Sequence, residues 1–184
     1  MKVYGVGIIG LGFMGRSMLA SMAEHDRFQV VCGWDPSAQS VASAQKQQPD
    51  IGILQGPEAV IAQENVDLVY IAAPPLSHKT YALKTIAAKK PVYCEKPLGV
   101  DIEDSRQLAA TAADAGVVNI INFNLATALS ATTVKEQLDA GRLGPVAGIS
   151  INLHVSQWPR AFQVSAGWLK NRAQGGYCRE VFSH

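Results

Sequence analysis

The sequence predicts a doubly wound α/β fold, in which helices cover both faces of a parallel sheet. Apolar segments of strand length alternate along the chain with longer segments of helical pattern, an order typical of parallel strands joined by helical crossovers. The strand segments are nearly continuous runs of Val and Ile, which indicates burial on both faces of the sheet. The pattern changes after Phe123, so we expect a first domain over residues 1–123 and the beginning of a second, α+β domain over 124–184.

Each predicted strand is an apolar run, and each predicted helix is one of the longer segments between two runs. The strands are predicted at Val3–Ile9, Phe28–Trp34, Asp67–Ala72, Pro91–Cys94 and Val117–Phe123, with a weaker strand at Ile51–Leu54. The helices are predicted at Met14–Glu24, Ser37–Gln47, Pro57–Gln63, His78–Ala88 and Ile102–Ala115. In the second domain the sequence predicts a helix over Thr132–Ala140 and a strand of alternating character over Val146–Val155.

Composition restricts the class of protein. The 184 residues are 48% apolar and 17% charged with a net charge of +1, so there is no electrostatic case for nucleic acid or an anionic membrane surface as a partner. No apolar run approaches the roughly 20 residues that span a bilayer. The three cysteines, Cys32, Cys94 and Cys178, are odd in number and lack metal-ligand spacing. We expect reduced thiols in a cytoplasmic protein and no metal site.

A glycine motif, GLGFMG, follows the first predicted strand. In a strand–turn–helix unit the first glycine makes the turn, the second lets the backbone approach a pyrophosphate, and the third lets the helix pack on the strand. The helix that opens there presents N–H groups and a positive dipole end to phosphates. The candidate cofactor-binding residues are Gly10, Gly12, Phe13, Met14 and Gly15. The motif also predicts that the doubly wound domain is a Rossmann fold. A glycine turn without a ligand is the alternative.

Asp35 ends the second predicted strand, about 20 residues after the glycine motif. A carboxylate at this place accepts hydrogen bonds from the adenosine ribose and repels a 2′-phosphate. No Arg stands beside it in WDPSAQS, and Lys46 lies far along the next helix. The sequence therefore predicts NAD as the preferred cofactor and NADP as the alternative. Asp35 could instead serve only as a cap of the helix after Pro36.

A loop with two prolines follows the fourth predicted strand, in IAAPPLSHKT. Pro74 and Pro75 force an extended loop at the carboxyl end of that strand. Because ligands of open α/β sheets bind outside the carboxyl ends of the strands, Ala73, Pro74 and His78 are candidate cofactor-binding residues. Ser77 is a candidate cap for the helix that His78 begins, and a purely structural position is the alternative for His78.

Two opposite charges end the next predicted strand, in VYCEKPLGV. Glu95 and Lys96 come directly after apolar residues and reach the same sheet edge, near the place of a nicotinamide. A cation beside a reacting carbinol stabilises developing oxyanion character. Lys96 is therefore a candidate catalytic and cofactor-binding residue, and Glu95 a candidate cofactor-binding residue. Solvated charges at a strand end are the alternative.

The motifs GLGFMG, AAPPLSH and above all CEKPLG, together with Asp35, give the chain a resemblance to the Gfo/Idh/MocA oxidoreductases, which include glucose-fructose oxidoreductase and inositol dehydrogenase. The resemblance implies hydride transfer between NAD(P) and a secondary alcohol of a sugar, cyclitol or similar polyol. It also implies that Lys96 reaches the substrate hydroxyl, that the Lys96–Pro97 peptide bond is cis, and that the protein is a homodimer or homotetramer.

The segment GGYCREVFSH resembles the family's glycine-led helix with an acid and a His four residues apart. Glu180 and His184 match those positions and would share one helix face. The resemblance implies that His184 is the general base and that Glu180 orders it or binds a substrate hydroxyl. The chain departs from the family at Glu180, where most relatives have Asp, and at Leu125 and Ala126, where an Arg is common.

Other interpretations stay open at this point. Family members continue beyond the helix that contains His184, so we expect the 184 residues to be part of a longer protein. The chain could be a dinucleotide-binding sensor or scaffold without chemistry. It could also be an amino-acid biosynthetic reductase or semialdehyde dehydrogenase, which would require Cys94 or Cys178 as a nucleophile. Polar and aromatic residues suited to a polyol are Asn152, His154, Gln157, Trp158 and Arg160, and ordinary surface positions are the alternative for them.

Overall fold

Within the part of the chain that the structure describes, six strands form one sheet in the order β3-β2-β1-β4-β5-β6. The structure is a computed structural model, and it describes residues 1–150, 152, 154, 156–157, 160, 163, 166–176 and 179. The strands are Tyr4–Ile9 (β1), Phe28–Trp34 (β2), Gly52–Ile53 (β3), Leu68–Ile71 (β4), Val92–Glu95 (β5) and Asn119–Asn122 (β6). Every pair of neighbouring strands is parallel, which confirms the predicted doubly wound α/β fold.

Helices follow the strands in the predicted alternation. They are Phe13–Ala23 (α1), Ala38–Gln47 (α2), Pro57–Ala62 (α3), His78–Ala87 (α4), Ile102–Ala115 (α5) and Leu129–Asp139 (α6). Short 3₁₀ helices lie at Pro75–Ser77, Asn124–Thr127, Gly167–Lys170 and Arg172–Gln174. Local sequence fixes several boundaries. At the start of α5, for example, the Asp101 side chain accepts a hydrogen bond from the Asp104 N–H at 2.9 Å, and the helix ends at Gly116 in the left-handed conformation.

Successive side chains of a strand point to opposite faces of the sheet, and those of β1 and β4 are buried on both faces, whereas Ile120 of the edge strand β6 is exposed. On one face, Ile8 and Tyr70 belong to an apolar cluster that includes Leu19 of α1. On the other face, Ile71 belongs to a cluster that includes Leu108 of α5. Complete burial of one such aliphatic side chain contributes about 1.5–3 kcal/mol, so these clusters hold the helices on the sheet.

The carboxyl ends of β1, β4, β5 and β6 meet at one edge of the sheet. Ile9 is opposite Ile71 in the pairing of β1 with β4, and Ile71 is opposite Cys94 in the pairing of β4 with β5. At the next pair, Glu95 of β5 is opposite Asn122 of β6. The chain order reverses between β1 and β4, and such a switch point is where open α/β sheets bind ligands.

The strand predicted at Val146–Val155 is wrong over its described part. Residues 146–150 adopt no regular structure, and residues 151, 153 and 155 lie outside the described residues. Val146 and Ile149 are exposed. A strand needs a neighbour to take up its backbone N–H and C=O groups, and residues 146–150 pair with no strand in the described part of the chain.

In the described part of the chain, no helix is long and apolar enough to cross a bilayer.

Candidate active site

The glycine turn after β1 depends on Gly10. Its φ is 99°, a conformation that favours glycine, and its N–H donates to the Trp34 carbonyl at 2.8 Å. A Cβ atom at this residue would lie 2.6 Å from the Ala72 carbonyl oxygen. The first glycine therefore lets β1 end in close contact with the segments that follow β2 and β4.

The other two glycines of the motif have different surroundings. A Cβ atom at Gly15 would lie 1.9 Å from the Gly10 carbonyl oxygen, so α1 packs directly on the turn. A Cβ atom at Gly12 would meet no protein atom within 4 Å. Gly12 also precedes α1 without a side chain to cap it. The space beside Gly12 fits a pyrophosphate at the helix N-terminus, because the internal packing of the protein does not use it.

Asp35 ties the glycine turn to the end of β2. Its Oδ2 accepts the Leu11 N–H at 2.7 Å, and its Oδ1 accepts the Ser37 N–H at 2.8 Å. The cap of α2 is Ser37, whose Oγ accepts the Ser40 N–H at 3.3 Å. The interpretation of Asp35 as the helix cap is therefore wrong. A carboxylate has about four acceptor sites, so further hydrogen bonds to a ribose are compatible with these two.

His78 lies beneath the loop that follows β4. The side chain is 0% exposed, with Nδ1 2.8 Å from the Pro97 carbonyl oxygen and Nε2 2.7 Å from the Ala73 carbonyl oxygen. Burial lowers the pKa of His78, and the two carbonyl contacts oppose this effect only in part. The ring thus lies between the loops after β4 and β5, and because a neutral imidazole carries one N–H, it donates to only one of the two carbonyls. The Ser77 side chain, predicted as the cap of α4, makes no capping hydrogen bond.

The charged end of β5 is buried. Glu95 is 4% and Lys96 9% exposed, so these residues are not solvated strand-end charges. Glu95 Oε1 accepts hydrogen bonds from the Tyr70 hydroxyl and from Asn122 Nδ2, the latter at 2.6 Å, and Oε2 accepts the Lys96 N–H at 3.3 Å. The Lys96–Pro97 peptide bond is cis.

Sequence reasoning missed Tyr70 and Asn122. Both are polar side chains on the strands that flank β5. A Tyr inside an otherwise aliphatic strand and an Asn at the end of β6 were the available signals. Only the register shows that both reach Glu95, because the three residues are far apart in sequence.

The Gfo/Idh/MocA model, described as an oxidoreductase family with an NAD-binding Rossmann fold, matches residues 4–123. The chain belongs to the Gfo/Idh/MocA family. The glycine turn, Asp35 and the end of β5 are therefore parts of an NAD-binding Rossmann fold.

Several relatives of this Gfo/Idh/MocA chain are enzymes of modified sugars. The chain is 27% identical over 174 residues to 2,7-anhydro-N-acetylneuraminate hydratase of Escherichia coli, covering 92% of this chain and 44% of the relative. It is 28% identical over 171 residues to 1,5-anhydro-D-fructose reductase of Ensifer adhaerens, covering 92% of this chain and 50% of the relative. The chain thus spans about half the length of these relatives.

A solved structure agrees with the fold. GenD2 of gentamicin A biosynthesis, determined in complex with NAD, is 25% identical and superposes with a TM-score of 0.72 over 77% of this chain and 40% of GenD2.

Other predicted residues of this Gfo/Idh/MocA chain do not join the site. Cys94 is buried, and burial raises the pKa of its thiol; burial likewise raises the pKa of Cys32 to about 11. Neither thiol fits the exposed nucleophile of the alternative enzyme class. Leu125 lies in the 3₁₀ helix Asn124–Thr127 and is exposed.

The remaining predicted residues divide between exposed positions and undescribed ones. Asn152, His154 and Gln157 are exposed, and Arg160 is half-buried. The other predicted residues lie outside the described residues: Trp158, Cys178, Glu180 and His184. Within the described part of the chain, no group of three or more His, Cys, Asp and Glu side chains could hold a metal ion.

A groove of about 930 Å³ lies at the other end of the strands. Its lining includes Tyr4 at the start of β1, Leu68 at the start of β4 and Val92 at the start of β5. These are the amino-terminal ends of parallel strands, whereas the glycine turn and Lys96 stand at the carboxyl ends. The groove is therefore separate from the candidate active site.

Proposed function

We propose that this Gfo/Idh/MocA protein transfers a hydride between NAD and a secondary alcohol of a sugar, cyclitol or similar polyol. The observation that carries the proposal is the position of Lys96. Lys96 follows β5 at the carboxyl edge of the sheet, which is also the edge of the glycine turn. The exposed fraction of Lys96 is only 9%. A cation desolvated to this degree interacts more strongly with a developing negative charge than a cation in water.

The residues of the glycine turn fit the diphosphate of NAD. The backbone of Gly10, Gly12, Phe13, Met14 and Gly15 would hold it, with the open space beside Gly12 facing the phosphates.

The two ends of the dinucleotide would lie on either side of that turn. Asp35 would accept hydrogen bonds from the adenosine ribose, and its charge favours NAD over NADP. Ala73 and Pro74, after β4, would line the path toward the nicotinamide end. His78 supports this path from beneath, because its ring is completely buried.

The chemical step assigns one role to each side chain. A carbinol that becomes a carbonyl loses the hydride from its carbon and the proton from its oxygen. When bound, the nicotinamide supplies the hydride acceptor. The Lys96 ammonium group stabilises the oxygen as its negative charge develops. His184 takes the proton as general base, and Glu180 orients His184 or binds a neighbouring hydroxyl.

Partners and location are part of the same proposal. The named relatives act on anhydro sugars, which supports a sugar-derived substrate. We propose a cytoplasmic homodimer or homotetramer, and light scattering of the full gene product at micromolar concentration measures its mass directly. A monomer would contradict the oligomer without affecting the site.

A substrate panel tests the proposed reaction. The full gene product is incubated with sugars, anhydro sugars, cyclitols and their keto forms, each with NAD(H) and with NADP(H). We expect reduced nicotinamide to form or disappear with at least one class of substrate, faster with NAD(H). Product analysis of the anhydro sugars also detects hydration without net redox change. NADH binding without conversion of any compound would instead favour a sensor or scaffold.

A further inference from the structure

We propose that Tyr70, Tyr93 and Asn122 form a positioning network that fixes Glu95 and, through Glu95, the backbone of Lys96. The inference rests on the proposed function, because it assigns these residues to the placement of the proposed catalytic lysine. The proposal gives Glu95 a positioning role in addition to its predicted place at the cofactor site.

The network crosses three neighbouring strands. Tyr70 of β4 donates its hydroxyl hydrogen to Glu95 Oε1, and Asn122 of β6 donates from Nδ2 to the same oxygen at 2.6 Å. Tyr70 is 0%, Glu95 4% and Asn122 7% exposed. A buried carboxylate requires such donors, since it has lost its hydration. The two hydrogen bonds therefore restrict Glu95 to one orientation.

The second tyrosine fixes the amide of Asn122. Tyr93 donates its hydroxyl hydrogen to Asn122 Oδ1 at 2.7 Å, which leaves Nδ2 facing Glu95. The register supports this arrangement, because Tyr70 is opposite Tyr93 and Glu95 is opposite Asn122. The pKa values of Tyr70 and Tyr93 are raised mainly by burial and further by Glu95. Both hydroxyls thus keep their protons and remain donors at neutral pH.

The network reaches Lys96 through the other oxygen of Glu95. Oε2 accepts the Lys96 N–H at 3.3 Å, and on the far side of Lys96 the Pro97 carbonyl oxygen lies 2.8 Å from His78 Nδ1. The segment that carries Lys96 is therefore held on both sides by buried side chains. A misplacement of about 1 Å at a reacting group can cost about 10² in rate, so loss of this support should reduce turnover.

Conservative variants separate this role from ordinary core stability. Tyr70→Phe removes one hydroxyl from the network, and Asn122→Leu removes the hydrogen bonds of the amide to Tyr93, Glu95 and Tyr70 at similar volume. Tyr4→Phe is the matched control, because Tyr4 packs against Phe28, with ring centroids 6.1 Å apart, at the start of β1. Glu95→Gln is the rescue variant, which keeps the shape and an acceptor oxygen and is compared with Glu95→Ala.

Two measurements on these variants test the network. The first is hydrogen exchange of the Lys96 amide in the full gene product: we expect about tenfold faster exchange in Tyr70→Phe and Asn122→Leu, with the amides of β1 unchanged. The second is turnover with NADH titration: we expect kcat to fall about tenfold or more while KM and the NADH Kd stay within about threefold. Glu95→Gln should retain more activity than Glu95→Ala, and Tyr4→Phe should match the wild type.

The two readouts distinguish the possible failures. Unchanged exchange at Lys96 in both variants would overturn the network, whatever the turnover. Equal losses in Tyr70→Phe and Tyr4→Phe would also overturn it, by showing a general effect of hydroxyl removal. If the wild type binds NADH but converts no substrate, the proposed function fails, and the exchange data still decide whether the network positions Lys96.

Discussion

Under the proposed function, Asp35 combines two tasks at a single residue. Its two oxygens hold the Leu11 and Ser37 N–H groups, which shapes the glycine turn, and its charge would face the adenosine ribose. A substitution that removes the whole side chain would therefore confuse the two tasks. The informative change is one that removes only the charge.

Asp35→Asn is expected to shift cofactor preference toward NADP. The amide oxygen can still accept one backbone hydrogen bond, while the repulsion of a 2′-phosphate is lost. Hydrogen bonds to charged groups contribute about 1.5–3 kcal/mol, so the ratio of the NADP and NAD dissociation constants should change about tenfold or more. Fluorescence titration with NADH and NADPH measures both constants. An unchanged ratio, with folding intact, would restrict Asp35 to the turn.

His78 is expected to make the stability of the protein dependent on pH. Burial lowers the pKa of His78 in the folded protein, whereas the ordinary pKa of a His in an unfolded chain is about 6.5. As the pH falls through this value, the unfolded chain binds a proton at the ring before the folded protein does. As the pH falls below about 6.5, the free energy of unfolding should decrease by up to about 1.4 kcal/mol per pH unit, until the pH reaches the folded-state pKa. Above that window the ring is neutral in both states and contributes no pH dependence.

Urea unfolding at pH 7.5, 6.5 and 5.5 measures this effect. We expect His78→Gln to be less stable than the wild type at pH 7.5, because it loses a buried contact, and to lose less stability between pH 7.5 and 5.5. His25→Gln is the control, since His25 is exposed. Parallel pH profiles for the wild type and His78→Gln would contradict the assignment of a lowered pKa to His78.

The residues that sequence reasoning found are those whose chemistry shows in a local motif. The glycine motif predicted close backbone contacts at Gly10 and Gly15, and the structure has such contacts at both residues. Tyr70 and Asn122 were missed, because their role exists only through the register of β4 and β6 with β5. His78 was identified as a candidate cofactor residue, but the sequence could not show that its ring faces inward.

At the scale of elements, the glycine turn and α1 form one unit in which two glycines have different tasks. The Gly15 Cβ position is filled by the Gly10 carbonyl oxygen at 1.9 Å, whereas the Gly12 Cβ position is open. The same substitution at the two residues should therefore change different properties. Gly15 serves the packing of α1 on the turn, and we propose that Gly12 serves the binding of the dinucleotide.

Gly15→Ala and Gly12→Ala form a matched pair. Alanine ordinarily stabilises a helix interior by about 1 kcal/mol relative to glycine, but the clash at Gly15 should lower the free energy of unfolding by about 1–3 kcal/mol. Gly12→Ala should change it by less than about 1 kcal/mol and weaken NADH binding about tenfold or more. Urea unfolding and NADH titration measure the two properties. A stabilised Gly15→Ala, or unchanged binding in Gly12→Ala, would contradict this division.

The elements of the first domain were predictable because each carries its own pattern. Apolar runs bounded by glycine, proline or charge marked all six strands, including β3, which consists of Gly52–Ile53. The strand predicted at Val146–Val155 failed over residues 146–150 because alternation alone does not supply a neighbouring strand. The alternating pattern lies within the segment itself, whereas the pairing requires a strand from another part of the chain.

At the scale of the whole molecule, one sheet edge collects residues that are far apart in sequence. The glycine turn follows β1, Asp35 follows β2, the proline loop follows β4, and Lys96 follows β5. Parallel pairing brings these strand ends together, and the same arrangement leaves the 930 Å³ groove at the opposite edge. We propose that the shared edge binds NAD and that Lys96 acts there on the substrate oxygen.

Turnover and NADH affinity of Lys96→Met in the full gene product test that claim most directly. Methionine keeps most of the stem and removes the charge, and Lys46→Met, on the exposed side of α2, is the control. We expect kcat to fall by about 10² or more, on the scale of one lost electrostatic donor, while the NADH Kd changes by less than about threefold. Preserved turnover would contradict the catalytic assignment, and lost NADH binding would make Lys96 a cofactor-binding residue instead.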